Sequence, residues 1–299
     1  MPDERIVRKE EWVSEEAGAI LQKWGYERLQ VVGKGAFSQV YCVKEVSTGS
    51  LYACKVSDKQ EMLGRESEIL RRLSHPLFPA FHDYRQEKER SFLVMEYVSG
   101  VNLKEWIARK GVLSEENTIT VALELAKGLR YLHELTPPVL FRDMKPDNIM
   151  VGTDGEVRLL DLGSAGSPDA VKHVMTGTPG FAAPEQWEMD GREGFYSDVY
   201  GLAEVMYYML TGEYMETIRD GRRRIRIPGR KVHRGVEVLL EECLREESRE
   251  RIPDMRYFLQ RLEPYYRGEK GKILKLEIAA YLRKKREGEY VFVRNILLG

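Results

Sequence analysis

Between residues 139 and 163 the chain reads Val-Leu-Phe-Arg-Asp-Met-Lys-Pro-Asp-Asn-Ile-Met, then a short hairpin-like stretch from Val151 to Arg158, then Leu-Leu-Asp-Leu-Gly. No other stretch constrains the chain as much. Two acids, a lysine and an asparagine at this spacing are the parts that phosphoryl transfer from a metal-bound nucleotide requires. A hydroxyl attacking a phosphate needs its proton accepted and its approach fixed in line, and Asp143 is the candidate carboxylate. Hard cations bridging the phosphates take oxygen ligands, and Asn148 and Asp161 supply them. Lys145, two residues past Asp143, can neutralise charge on the transferring group.

These residues resemble the signature of the eukaryotic-like (Hanks-type) Ser/Thr protein kinases, and most closely their compact bacterial members. The resemblance runs over residues 26 to 266. Gly33-Lys34-Gly35-Ala36-Phe37-Ser38-Gln39-Val40 follows a strand-like run from Tyr26 to Val32 and precedes another from Val40 to Val46. Glycines there let backbone N–H groups approach phosphate oxygens without a Cβ in the way. Leu51 to Val56 reads as a strand carrying Lys55, which by resemblance contacts the nucleotide phosphates. Between Gln60 and Leu73, Met62, Leu63, Ile69, Leu70 and Leu73 recur at helical spacing. Glu66 lies on that same face, where an acid needs a cationic partner; the resemblance pairs it with Lys55. Further on, Gly177 to Glu185 resembles the substrate-positioning loop, Arg251 the buried partner of Glu185, and Asp198 the acid that accepts backbone hydrogen bonds from the catalytic loop. Asp198 also begins a run to Leu210 that is apolar on nearly every face, as in a buried helix, and Gly212 ends it.

The resemblance implies an α+β, two-lobed protein-kinase fold with a small β-rich N-lobe and a larger helical C-lobe. It also implies ATP with Mg²⁺ or Mn²⁺, and protein substrates with Ser/Thr acceptors, since Thr178 and Lys145 together match the Ser/Thr-directed version. The hinge falls at Met95-Glu96-Tyr97-Val98, with the Glu96 and Val98 backbones reading the adenine edge and Val40, Ala53 and Met150 sandwiching the ring. Asn102 completes the nucleotide contacts. Two departures stand out. Ser38 replaces the third glycine of the phosphate loop, and Phe141 replaces the usual histidine before Arg142. The ring of Phe141 is expected in an apolar column with Leu162, Leu70 and Phe81, so the exchange removes a polar atom from a buried place. Lys55, Glu66, Asp143, Asn148 and Asp161 are all present, which favours an active enzyme over a pseudokinase scaffold. The Gly-Thr-Pro and Ala-Pro-Glu block favours a peptide acceptor over a small molecule.

At 299 residues the chain suits one two-lobed domain with extensions. The expected division is a helical extension over 1–25, a kinase domain over 26–266 with its N-lobe at 26–97 and C-lobe at 98–266, and a helix-strand extension over 267–299. Lys and Arg total 47 against 48 acids, so no global field steers the protein to nucleic acid or membrane. Cys42, Cys54 and Cys243 form no metal or redox pair and read as reduced packing residues of a cytoplasmic protein. No apolar run approaches the roughly 18 residues of a spanning helix, and the start does not resemble a signal segment. In the first extension, Ser14-Glu15-Glu16 opens a helix carrying Ala17, Ile20, Leu21 and Trp24, either packed on the small lobe or regulatory.

Seven of the thirteen residues from Arg219 to Lys231 are basic. Gly221, Pro228 and Gly229 argue against a long helix there. The run reads either as a solvated surface or as a docking patch for an acidic or phosphorylated partner. Without interleaved aromatic residues it does not fit nucleic acid. Arg142, finally, resembles the arginine that pairs with a phosphorylated residue of the activation segment. Val174 occupies the usual position, and Thr176 is the favoured acceptor over Ser164 and Ser167; the alternative is a fixed acid such as Asp169.

Overall fold

The computed structural model describes residues 15–35, 37–152, 156–169, 177–188, 191–214, 225, 227 and 232–266. The chain divides into two compact units, Met1–Ser74 with Pro79–Val98, and His75–Phe78 with Ser99–Gly299.

In the first unit β1 (Tyr26–Lys34), β2 (Ser38–Glu45), β3 (Leu51–Ser57), β4 (Phe81–Glu87) and β5 (Arg90–Glu96) form an antiparallel sheet in the order β1-β2-β3-β5-β4. Side chains alternate between faces along a strand, and the register sorts them. Tyr41 is opposite Cys54 and Cys54 opposite Val94, so these residues share one face with Val43, Val56 and Phe92. That face packs against Ala17, Ile20 and Leu21 of helix α1 (15–23) and against Trp24 in the turn after it. Trp24 meets Phe92 edge-on, centroids 4.9 Å apart, and Glu16 takes Lys88 at 2.6 Å and Arg90 at 3.1 Å. The helix thus packs on the sheet; its Ser14 cap lies outside the described residues.

The opposite face carries Val40, Ala53, Lys55, Leu93 and Met95, aligned by the pairs Val40 with Lys55, Lys55 with Leu93 and Ala53 with Met95. Helix α2 (Gln60–Arg72) packs on β4 and β5, burying Leu63, Glu66, Ser67 and Leu70. The apolar face expected from periodicity is narrower than its sequence: Met62 is 46% exposed. One turn separates Leu63 from Glu66 and another separates Glu66 from Leu70, whereas Met62 lies off that line.

The second unit holds a small sheet of β6 (Gly100–Asn102), β7 (Ile149–Gly152) and β8 (Val157–Leu159), all antiparallel in that order. Its helices are α3 (Leu103–Lys110), α4 (Glu115–His133), α5 (Phe195–Thr211), α6 (Arg234–Cys243) and α7 (Met255–Leu262). Caps fix their starts: Asn102 Oδ1 accepts from Glu105 N at 2.8 Å, Ser114 Oγ from Asn117 N at 3.3 Å, and Asp254 Oδ1 from Arg256 N at 2.8 Å. Helix α5 is buried along almost its whole length, from Ser197 to Leu210, and ends at Gly212 with φ 77°. Within α4, Gly128 allows a close approach that no side chain would. A Cβ there would sit 2.0 Å from Leu77 Cδ2. Leu77 in turn accepts the Leu159 amide at 2.7 Å, so this contact sets the end of β8 two residues before Asp161.

The cysteines are free and buried. Burial pushes the Cys54 and Cys243 thiols well above their ordinary pKa, which leaves them protonated packing groups. Ile225 and Ile227, inside the basic run, are buried too, and the Ile225 carbonyl accepts from Arg234 at 3.3 Å. The basic residues marked that run only as charged, whereas the backbones of Ile225 and Ile227 bond to Arg234 and Glu237 of α6. The remainder of Arg219–Lys231 lies outside the described residues, as does 267–299.

Candidate active site

In the first unit, Lys55 Nζ donates to Glu66 at 2.7 and 3.0 Å, with the two side chains 10% and 4% exposed. Two desolvated charges of opposite sign are tolerable when paired with this geometry. Lys55 is carried by β3 and Glu66 by α2, so the pair also fixes the helix on the sheet. Gly33, Lys34, Gly35 and Ser38 lie at the turn between β1 and β2. Lys34 pairs with Gln39, and the Gly35 amide donates to Ser38 O at 2.8 Å. Phe37 at the turn is 58% exposed, and its carbonyl accepts from Ser57 Oγ at 2.6 Å. Ala36 lies outside the described residues. Met95 and Glu96 end β5, and the chain passes into the second unit after Val98. The Glu96 carboxylate accepts from Ala80 N at 3.1 Å.

In the second unit four polar side chains converge. Asp143 Oδ1 accepts from Thr178 Oγ1 at 2.7 Å; its Oδ2 accepts from Lys145 Nζ at 2.6 Å and from Asn148 Nδ2 at 3.2 Å. Lys145 Nζ also donates to Thr178 Oγ1 at 3.1 Å, closing the ring of contacts. Asn148 Nδ2 donates further to Asp143 O at 2.9 Å. Its donor end is thereby committed, and the amide oxygen is turned the other way. Thr178 reaches the ring because Gly177 precedes it with φ 94°, and a Cβ at Gly177 would come 2.6 Å from Ala182 Cβ. Asp161, with φ 64°, accepts from the Gly163 amide at 3.2 Å. Asn102 and Met150 face one another across β6 and β7. Asn102 spends its side-chain oxygen on the α3 cap, a role that a strand-plus-hinge reading of the sequence does not reveal. Lys104, the second residue of α3, pairs with Asp147 at 3.0 Å, and that hydrogen bond holds the ammonium pKa above its ordinary value.

The backbone of this loop hangs on α5. Asp198 accepts from Phe141 N and Arg142 N at 2.8 Å each, and from His133 Nε2 at 2.8 Å. Glu185 takes Arg251 at 2.8 Å and Ser197 Oγ at 2.7 Å, with Arg251 stacked 4.8 Å from the Tyr200 ring centroid. Phe141, Leu162 and Leu70 are each buried.

The protein kinase domain family matches residues 26–262. The chain belongs to that family. Among curated proteins it is 32% identical over 200 residues to "CBL-interacting protein kinase 21" of Oryza sativa subsp. japonica, covering 62% of this chain and 38% of that one. It is 33% identical over 198 residues to "RAC-beta serine/threonine-protein kinase" of Homo sapiens, covering 62% of this chain and 40% of that one. The matched region thus spans about two fifths of the length of these relatives.

As a kinase domain, the chain can be tested for its fit to a nucleotide-bound cation. Among the described residues no three His, Cys, Asp or Glu gather to hold a metal alone. That suits Mg²⁺, which keeps its waters and binds through one or two protein oxygens plus phosphates. The amide oxygen of Asn148, whose NH₂ is taken by Asp143, and the carboxylate of the exposed Asp161 are oxygen donors of the right kind. Sequence reasoning did not find the acid on Arg142. The arginine pairs with Glu193, while Asp169 is exposed and donates its amide to Ser167 Oγ at 3.2 Å. Glu193 stands outside every motif, just before α5, and only the folded chain brings it to the loop. Val174 and Thr176 lie outside the described residues. No described helix is long and apolar enough to cross a membrane.

Proposed function

We propose that the protein is a Ser/Thr protein kinase that transfers the ATP γ-phosphoryl group to protein hydroxyls and can phosphorylate itself. The ring formed by Asp143, Lys145 and Thr178 carries this reading. Thr178 places a hydroxyl 2.7 Å from Asp143 Oδ1, which is where an acceptor hydroxyl would donate, and Lys145 spans both groups. Asp143 orients the acceptor oxygen and takes its proton as the bond to phosphorus forms and the bond to the bridging oxygen breaks, releasing ADP. Lys145 faces the charge that builds on the transferring group. Asn148 and Asp161 would hold Mg²⁺ or Mn²⁺, which would supply charge neutralisation. Lys55, held by Glu66, anchors the nucleotide phosphates, and the backbone of Gly33 to Ser38 covers them. Val40 and Ala53 of the first unit and Met150 of the second are assigned to the adenine by the family resemblance, Met95, Glu96 and Val98 to the hinge, and Asn102 to the nucleotide.

The kinase domain is assigned to 26–266, with a helical extension before it and a helix-strand extension after it. Balanced charge and reduced packing cysteines support a cytoplasmic protein that does not act on nucleic acid. The Arg219–Lys231 run is assigned to an acidic or phosphorylated partner. Incubation with γ-labelled ATP, Mg²⁺ and a generic acceptor protein tests the activity. ATP binding without transfer would mark the chain as a pseudokinase.

A further inference from the structure

Arg142 is tied down through both its backbone and its guanidinium. Its amide donates to Asp198 at 2.8 Å, and its carbonyl accepts from Gln186 Nε2 at 2.8 Å. Its guanidinium donates to Ser167 O at 3.0 Å through Nη2 and pairs through Nε with Glu193. Nη1 lies against Gly166, where a Cβ would come within 2.8 Å. The two side chains of the pair are 12% and 4% exposed. Residue 142 has φ 69°, a left-handed conformation that a non-glycine residue keeps only where its surroundings impose it.

These contacts tie three stretches together. Leu140 and Gly166 exchange backbone hydrogen bonds at 2.8 and 3.0 Å, joining the catalytic loop to the segment after Asp161. Ser167 O extends that junction to the guanidinium. Gln186 and Glu193 connect it to the chain after Thr178. Glu193 is itself placed by the start of α5, where Gly194 N donates to Ser197 Oγ at 3.1 Å and Ser197 Oγ donates to Glu185. The same helix end therefore fixes the Arg142 backbone through Asp198 and its guanidinium through Glu193.

We propose that Glu193 is a positioning residue for phosphoryl transfer, a built-in anion that holds Arg142 and makes order in the catalytic loop independent of phosphate on the activation segment. The proposal rests on the kinase reading above and replaces the expectation of a phosphorylated Thr176. A phosphate could reach this guanidinium only by displacing Glu193, leaving a carboxylate buried without its cation. That is the unfavourable half of a buried pair. With Glu193 in place the arginine's charge is already met, so a phosphate gains little there. The chain needs no second enzyme to complete Arg142.

Two measurements on the intact chain test this. Wild-type protein is treated with a phosphatase, shown phosphate-free by mass spectrometry, and assayed in the first turnovers; its initial rate should equal that of the autophosphorylated protein, and Thr176→Ala should match both. A lag that ends as phosphate accumulates on the segment would overturn the proposal. In the second, Glu193→Gln should lower kcat on the order of 10- to 100-fold with KM for ATP little changed, because the loop's geometry is lost while the nucleotide contacts remain. Glu193→Asp should recover part of the rate. Hydrogen exchange supplies a readout that needs no transfer: in Glu193→Gln the amides of Arg142 and Gly166 should exchange faster, while those of β2 and β3 stay unchanged. Unchanged exchange at Arg142 and Gly166 would sink the positioning role. If wild type never transfers phosphate, it is the kinase reading that fails, and the exchange result still decides whether Glu193 holds the loop.

Discussion

Replacing Asp143 with Asn changes two atoms' chemistry and almost no shape, so its consequences can be worked from the contacts. Oδ2 receives Lys145 and Asn148, both donors, so the asparagine oxygen will settle on that side and its NH₂ will face Thr178 Oγ1, which can accept as well as donate. Each heavy-atom contact survives, but the Thr178 hydroxyl proton loses its acceptor. What disappears is the negative charge opposite Lys145 and the group that could take a proton. The lost charge on a partly sheltered hydrogen bond costs about 1–2 kcal/mol of stability, so the variant should fold. Loss of the acceptor and of in-line orientation should lower kcat on the order of 10²–10⁴-fold, or roughly 3–5 kcal/mol in the barrier. Asp143 is assigned to the transfer step and not to holding the nucleotide, so ATP affinity should stay close to the wild-type value. Steady-state transfer from γ-labelled ATP gives the rate, and calorimetric titration with ATP and Mg²⁺ gives the affinity. Turnover indistinguishable from wild type would refute the role of Asp143; a matching loss of ATP affinity would mean that its charge serves binding.

Asp161→Asn should behave differently, weakening Mg²⁺-dependent nucleotide binding because a metal ligand acts in the ground state as well as the transition state; equal titration curves for the two variants would show the roles confused. Phe141→His should fold and keep activity of the same order, at a cost of about 1–3 kcal/mol for an imidazole in a fully buried site; thermal denaturation and a rate assay check it, and a folded but inactive protein would contradict the apolar-column reading. Gly128→Ala should destabilise the second unit by about 1–3 kcal/mol, since its Cβ would sit 2.0 Å from Leu77 Cδ2. Because Leu77 holds the Leu159 amide, the exchange of that amide should speed up along with the drop in midpoint temperature.

Residues that act through short-range spacing were legible in the sequence. Lys55 and Glu66 sit on a strand and on a helix whose periods announce their faces, and Asp143, Lys145 and Asn148 lie within a single turn of chain. The helix that Asp198 opens was legible from its apolar run, while the role of Asp198 itself came from the family resemblance. Other features depend on where distant stretches meet. Glu193 belongs to no repeat or motif, and its partner lies on a loop that chain folding alone brings to it. His133 belongs to no motif either, and it is α5 that places Asp198 beside it. The exposure of Met62 was hidden because periodicity gives the direction of a buried face but not its width, which the covering strands decide. Likewise Asn102 was legible as a polar residue after the hinge, yet its cap on α3 follows from where that helix begins. His75–Phe78 joins the second unit through Leu77, a packing contact with Gly128 that no local pattern encodes.

The central claim is that Asp143, Lys145 and Thr178 form a transfer site for protein hydroxyls, and one experiment meets it directly. Wild-type protein incubated with γ-labelled ATP, Mg²⁺ and a generic acceptor protein is hydrolysed to its amino acids and the label assigned. Label should appear on serine and threonine, and it should fall to background in Asp143→Asn while ATP still binds. Label on tyrosine alone, or ATP bound by the wild type with none transferred, would contradict it.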